Sequence, residues 1–182
     1  MLDKDTLFYS TMDLIGRKGT KFTMDEVARN LGISKRTLYE NILSKEALSI
    51  FMVTHYFEIV EDRQRPIRED ASLDPVEKLR RLLTTTPNMP LLRFGSATLR
   101  TEFPKAYMLL DEKLTLGWES TFRVMDEGIA QGKLRDFDKL MFARVYASGI
   151  EGLISEYGLS SGMTFNEMQR RFVDLLLFGI TA

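Results

Sequence analysis

The sequence predicts an all-α protein: an N-terminal three-helix unit built on a helix-turn-helix, followed by a larger helical domain. Three observations carry that prediction. Apolar residues recur at three- and four-residue steps along most of the chain, the period of helices packed by one face. No stretch alternates apolar and polar residues at the two-residue period of a strand. Residues 23–48, TMDEVARNLGISKRTLYENILSKEAL, carry start and stop signals for two short helices around a tight turn.

A first helix is predicted over residues 3–18, with Leu7, Phe8, Leu14 and Ile15 inward and Gly19 as its stop. Arg17 and Lys18 at its end either complement the helix dipole or touch a phosphate. Thr23, with Glu26 three positions on, has capping-box spacing and opens the second helix. Met24, Val27, Ala28 and Leu31 form its apolar face, and Gly32 follows where a helix end favours a left-handed residue. Only Gly32 to Ser34 separate it from a third helix, capped by Ser34 and packed by Leu38 and Ile42. That leaves Lys35, Arg36, Thr37, Tyr39, Glu40 and Asn41 near its outer, N-terminal side. A plain helical hairpin would share the glycine turn and the two amphipathic helices. It would not place Lys35 and Arg36 at a helix N-terminus, where the macrodipole disfavours cations. Cations there suit an approaching polyanion.

The stretch GISKRTLYENILSKEAL resembles the recognition helix and following turn of the tetracycline-repressor (TetR) family. That family's pattern runs Gly-Val/Ile-Ser, two or three variable residues, Leu-Tyr, then Ser-Lys-Glu-x-Leu. The likeness continues upstream through MDEVARNLG, Thr23 and Gly19. It implies that Thr23, Tyr39 and Lys45 hold phosphates, that Asn41 adds a phosphate contact, and that Lys35, Arg36 and Thr37 reach base edges. A bidentate contact from Arg36 to guanine would be worth about 1 to 3 kcal/mol of discrimination. The chain departs from the family at Glu40, Asn41 and Ile42, where Tyr-His or Arg-His followed by Phe is usual. Phosphate repels a carboxylate, so Glu40 either points away from DNA or accepts a hydrogen bond from a cytosine amino group.

Ser44 caps a fourth helix, from Lys45 to about Arg63, with Leu48, Phe51, Met52, His55, Ile59 and Val60 as its stripe. It spans on the order of 25 to 30 Å at 1.5 Å per residue, enough to act as a lever between a DNA face and a second domain. Arg65-Pro66 and the stretch 68–75 predict a loop. Short helices over 76–84 and 91–100 follow, then a long one from Pro104 to about Gln131, ended by Gly132. The expected division is a DNA-binding head, 1–46, and a ligand-binding and dimerisation domain, 47–182. An apolar pocket in the latter takes a small organic effector, with His55, Phe94, Tyr107, Trp118, Phe122 and Tyr146 as candidate lining. Each of these also fits as plain core, and His55 in particular as a satisfied core histidine.

Two final helices, 138–157 and 165–180, carry more apolar surface than one buried face requires. Ala147, Gly149 and Gly152 would let a partner helix approach. The resemblance implies a homodimer through these two helices, which suits a palindromic operator of double-stranded DNA. No catalytic motif, phosphate loop or metal cluster is recognisable, so neither an enzyme nor a cofactor or metal is expected. Cysteine is absent, the segment Leu2-Asp3-Lys4-Asp5 is polar, and no run reaches membrane-span length, so a cytoplasmic protein is expected. Net charge is −1, so the cluster around Lys35, not the overall charge, supports DNA binding. The expected function is a ligand-responsive repressor. The alternative is a helical interaction module with a degenerate head.

Overall fold

The computed structural model describes residues 2–85, 95–154 and 162–181, apart from the side chains of 95–98, 115, 116 and 154. The described residues form helices and no strand; an isolated bridge joins Leu134 to Thr181. Helix α1 (Lys4–Lys18) starts at Asp3, whose carboxylate accepts from the Thr6 N–H at 2.8 Å. It buries Leu7, Phe8, Thr11, Met12, Leu14 and Ile15. A 3-10 turn (Gly19–Lys21) leads to α2 (Met24–Asn30), where the expected capping box is complete. The Glu26 N–H donates to Thr23 Oγ1 at 3.3 Å, and the Thr23 N–H donates to Glu26 Oε2 at 2.9 Å. Gly32 then takes φ 67°, and the Ile33 N–H closes the turn on the Ala28 carbonyl at 3.0 Å. Helix α3 (Lys35–Asn41) is capped by Ser34 Oγ, which accepts from the Thr37 N–H at 3.0 Å.

Helix α4 (Lys45–Glu69) begins as predicted, with Ser44 Oγ accepting from the Ala47 N–H at 3.0 Å. Its end corrects the prediction. The helix passes through Pro66 and runs on to Glu69 instead of stopping near Arg63. Proline removes one helical hydrogen bond and crowds the carbonyl four residues back. Several contacts flank it. Arg65 binds Asp62 at 2.9 Å, Arg68 binds Glu61, and Gln64 Nε2 donates to the Leu82 carbonyl at 3.0 Å. Ile67, one residue beyond the proline, packs on the hydrophobic core.

Helix α5 (Pro75–Thr84) is capped by Asp74 Oδ1, and α6 (Gly95–Glu102) precedes α7 (Pro104–Leu116). The single long helix expected from Pro104 to Gln131 is two helices, α7 and α8 (Glu119–Ala130). They part at Gly117 and Trp118, where a Cβ on Gly117 would lie 2.6 Å from the Lys113 carbonyl oxygen. The absence of a side chain permits that tight approach, and Trp118 Nε1–H donates to the Leu114 carbonyl at 2.9 Å. Asp138 opens α9 (Lys139–Ile154), and a second capping box, Thr164 with Glu167, opens α10 (Phe165–Phe178). Residues 91–94 and 155–157 of the expected helices lie outside the described residues.

Packing divides the chain into two compact units, Met1–Glu58 with Met89–Asp111, and Ile59–Asn88 with Glu112–Ala182. The first unit therefore takes in more than the 1–46 head suggested by local sequence signals. The first half of α4 packs on α1 through buried His55 and its ring contact with Phe8. Lys105 at the start of α7 reaches Glu46 at 3.3 Å. The second unit closes on Leu79, Leu82, Met125, Leu134, Val173 and Leu177, all nearly or fully buried.

Candidate nucleic-acid interface

On α3 the buried and exposed sides separate cleanly. Leu38 is wholly buried, while Lys35, Arg36, Thr37, Tyr39, Glu40 and Asn41 are all exposed. A seven-residue helix is thus anchored by one leucine and offers the rest of its surface to a partner. Thr37 Oγ1 lies 2.8 Å from Ser34 Oγ, and Asn41 Nδ2 donates to the Thr37 carbonyl at 2.8 Å. Both therefore use part of their bonding capacity within the helix. Tyr39 is 43% exposed, a large apolar ring that carries a hydroxyl.

Both cations of α3 have carboxylate partners. Lys35 Nζ pairs with Asp25 of α2, and Arg36 Nε lies 2.9 Å from Glu40 Oε1. Glu40, expected either to point away from DNA or to read cytosine, lies along α3 with its carboxylate against Arg36. Asp25, which the sequence reading did not place near α3, thus stands beside Lys35, and Glu40 takes the role of partner to Arg36. The i,i+4 spacing of Arg36 and Glu40 was a usable signal, whereas Asp25 meets Lys35 only once α2 and α3 are packed. Lys21 and Arg29 are exposed on the same unit and have no ion pair among the described residues.

The two remaining positions hold the unit together. Thr23 is exposed but caps α2, so its hydroxyl serves the helix first. Lys45 is half-buried: Nζ donates to the Thr20 carbonyl and lies 4.5 Å from the Phe22 ring centroid. Burial lowers its pKa, with Glu102 and Glu26 opposing the shift. Glu26 binds Lys18 and the Thr23 backbone, and these hold its carboxyl at about 2.

The effector candidates fall into both units. In the first, His55 is buried with its ring nitrogens 2.7 Å from Asp5 Oδ1 and 2.8 Å from Glu58 Oε2. That engages both polar atoms of the ring, as expected of a satisfied core histidine. Tyr107 is half-buried, with Arg100 5.9 Å from its ring centroid. In the second unit Trp118, Phe122 and Tyr146 come together, with Trp118 5.4 Å from Tyr146 and 6.0 Å from Phe122. The Tyr146 hydroxyl donates to the Leu83 carbonyl at 2.6 Å, and Phe172 lies against its ring at 6.0 Å. Phe94 lies outside the described residues.

Along α9 and α10, exposed apolar side chains recur at helical spacing. Leu140, Met141 and Val145 do so on α9, and Leu175 and Phe178 on α10. Gly149 has a different role from the one expected. A Cβ there would meet Phe172 at 2.0 Å, so its small size serves packing of α9 on α10 within the chain. Among the described residues nothing lies within 4 Å of a Cβ added at Gly152.

No family model matches the chain. It is 33% identical over 175 residues to YvaF of Bacillus subtilis (strain 168), an uncharacterized HTH-type transcriptional regulator, covering 94% of this chain and 92% of that one. The chain belongs to the helix-turn-helix transcriptional regulators. Its fold is that of the TetR family. A TetR-family regulator from Agrobacterium tumefaciens superposes with a TM-score of 0.75 at 20% identity, over 98% of this chain and 97% of that one. AibR, solved with isovaleryl coenzyme A and operator DNA, superposes with a TM-score of 0.68 at 17% identity, over 96% and 97%. In this regulator α2 and α3 are the helix-turn-helix, and no described helix is long and apolar enough to cross a membrane.

Proposed function

We propose that this regulator is a repressor that binds a palindromic operator as a homodimer and is released by a small organic molecule. The observation that carries the reading is α3, anchored by buried Leu38 and exposing Lys35, Arg36, Thr37, Tyr39 and Asn41 together. Those side chains supply cations, hydroxyls and an amide, the groups that bind phosphates and base edges. Residues 1–46 form the reading head in this proposal. Lys45 and Thr23 act from the rim, Thr23 as a helix cap beside the backbone and Lys45 after release from Thr20.

Residues 47–182 hold the effector and the dimer contact. The exposed apolar residues of α9 and α10 support a helix-on-helix interface with a second copy. Trp118, Phe122 and Tyr146 mark the effector region, and the complex of AibR with isovaleryl coenzyme A and operator DNA supports both ligand classes. An effector moves the heads only by its difference in affinity for the two conformers. A regulator of this kind works in the cytoplasm, on DNA, without catalysis.

A second reading is favoured by one observation. Both α3 cations are already paired with carboxylates, as in a head that has lost its DNA and serves only to pair helices. An electrophoretic shift with duplex from the region flanking the protein's own gene separates the two. The repressor reading expects a retarded complex that acyl-coenzyme A probes or other small acids dissolve. A dimer that shifts no duplex at low salt supports the second reading.

A further inference from the structure

The side chain of Arg36 is 88% exposed, yet its Nε is held 2.9 Å from Glu40 Oε1. The two stand four residues apart, so the contact runs along the surface of α3. Among the described residues the guanidinium makes no other hydrogen bond. A guanidinium carries five N–H donors in a rigid plane. Occupying Nε leaves the Nη1–Nη2 end open, and that end can meet O6 and N7 of a guanine side by side. Lys35, held by Asp25, has no such fork to aim.

From this geometry we infer that Glu40 is a positioning residue for base recognition. It holds Arg36 along the helix with its terminal fork outward, and its own charge lowers the attraction of that face for phosphate. The inference rests on α3 being the DNA-facing helix. A surface ion pair that serves only the helix would change operator and random DNA alike. A positioning residue changes their ratio, because a loose arginine binds any phosphate while only an aimed one selects guanine.

The test uses the full chain and its Glu40→Ala and Glu40→Gln variants, with three kinds of duplex. These are the footprinted duplex from DNA flanking the protein's own gene, the same duplex with each guanine replaced in turn by 7-deazaguanine, which lacks N7, and a random duplex. For the wild type, one guanine per half-site is expected to lose affinity on replacement. Glu40→Ala should bind random duplex more tightly, with its preference for operator reduced roughly threefold or more and the 7-deaza penalty shrunk. Glu40→Gln keeps an acceptor for Nε, so it should gain on random duplex yet retain the penalty. Equal gains on operator and random duplex for Glu40→Ala, with the penalty intact, would reduce Glu40 to a bare charge and overturn the inference. If the wild type binds neither duplex, the DNA-facing reading of α3 fails first, before any variant is compared.

Discussion

His55 Nε2 lies 2.7 Å from Asp5 Oδ1, which ties the start of α1 to the middle of α4. Glu58 holds the other ring nitrogen at 2.8 Å, and Phe51 stacks on the imidazole with centroids 5.4 Å apart. The histidine side chain is only 9% exposed, while Asp5 is 66% exposed. Truncating the histidine loses packing and two hydrogen bonds, whereas truncating the aspartate loses one surface partner. We predict that His55→Ala lowers stability by about 2 to 3 kcal/mol. Asp5→Ala should cost less than about 1 kcal/mol. Denaturant unfolding of both variants compares them directly, and equal losses would show that the carboxylate, not burial, holds the ring.

The capping box of α2 has an acid limit. Glu26 has its pKa lowered from 4.5 to about 2, first by Lys18 and then by the Thr23 backbone N–H. A carboxyl with a depressed folded pKa stabilises the fold above its unfolded value and loses that contribution as pH falls through the folded one. The contribution is therefore complete above about pH 4.5 and fades toward pH 2. Glu26→Gln is expected to be less stable than wild type at pH 7, with the two melting curves converging as pH is lowered across that window. A constant gap between them from pH 7 to pH 2 would contradict this cause.

Gly149 permits the close seat of Phe172, whose ring would lie 2.0 Å from an added Cβ. Gly149→Ala is therefore expected to destabilise the second unit by about 1 to 3 kcal/mol, as overpacking does. Phe172→Leu in the same chain should recover part of that loss, because the two side chains contend for one space. Strict additivity in the double variant would show that the glycine acts through α9 alone.

The head was legible in the sequence because its signals are local. Thr23 with Glu26, Gly32 and Ser34 each act within one turn, and each behaves in the structure as its spacing implies. The elements that were misread depend on more than local rules. Pro66 reads as a helix stop, yet the helix runs through it to a turn in which Ile67 packs on the core, a tertiary contact no local rule shows. The apolar period from Tyr107 to Ile129 continues across Gly117 although the helix does not, so periodicity alone hides the break. At the candidate site the outward residues of α3 followed from one buried position, Leu38. The partners of its cations and the inward turn of Lys45 did not, since Asp25 and Thr20 are brought up by packing.

The exposed apolar residues of α9 and α10 make the dimer testable apart from DNA. Phe178 is 85% exposed and Leu175 69%, so charging them leaves the chain's own core intact. Leu175→Glu with Phe178→Glu is expected to give a folded monomer by sedimentation while the wild type sediments as a dimer. A lone head would contact few base pairs in the proposed complex, so the monomer should bind operator at least 100-fold more weakly. A double variant that stays dimeric would place the interface elsewhere.

In the proposed complex two copies of α3 read two major grooves of one duplex. Hydroxyl-radical footprinting of the purified chain on DNA flanking its own gene tests it most directly. Two symmetric protected windows are expected, with centres about 10 base pairs, or a multiple of that, apart, each weakened by Arg36→Ala. A single unsymmetric window, or no protection at low salt, would contradict it.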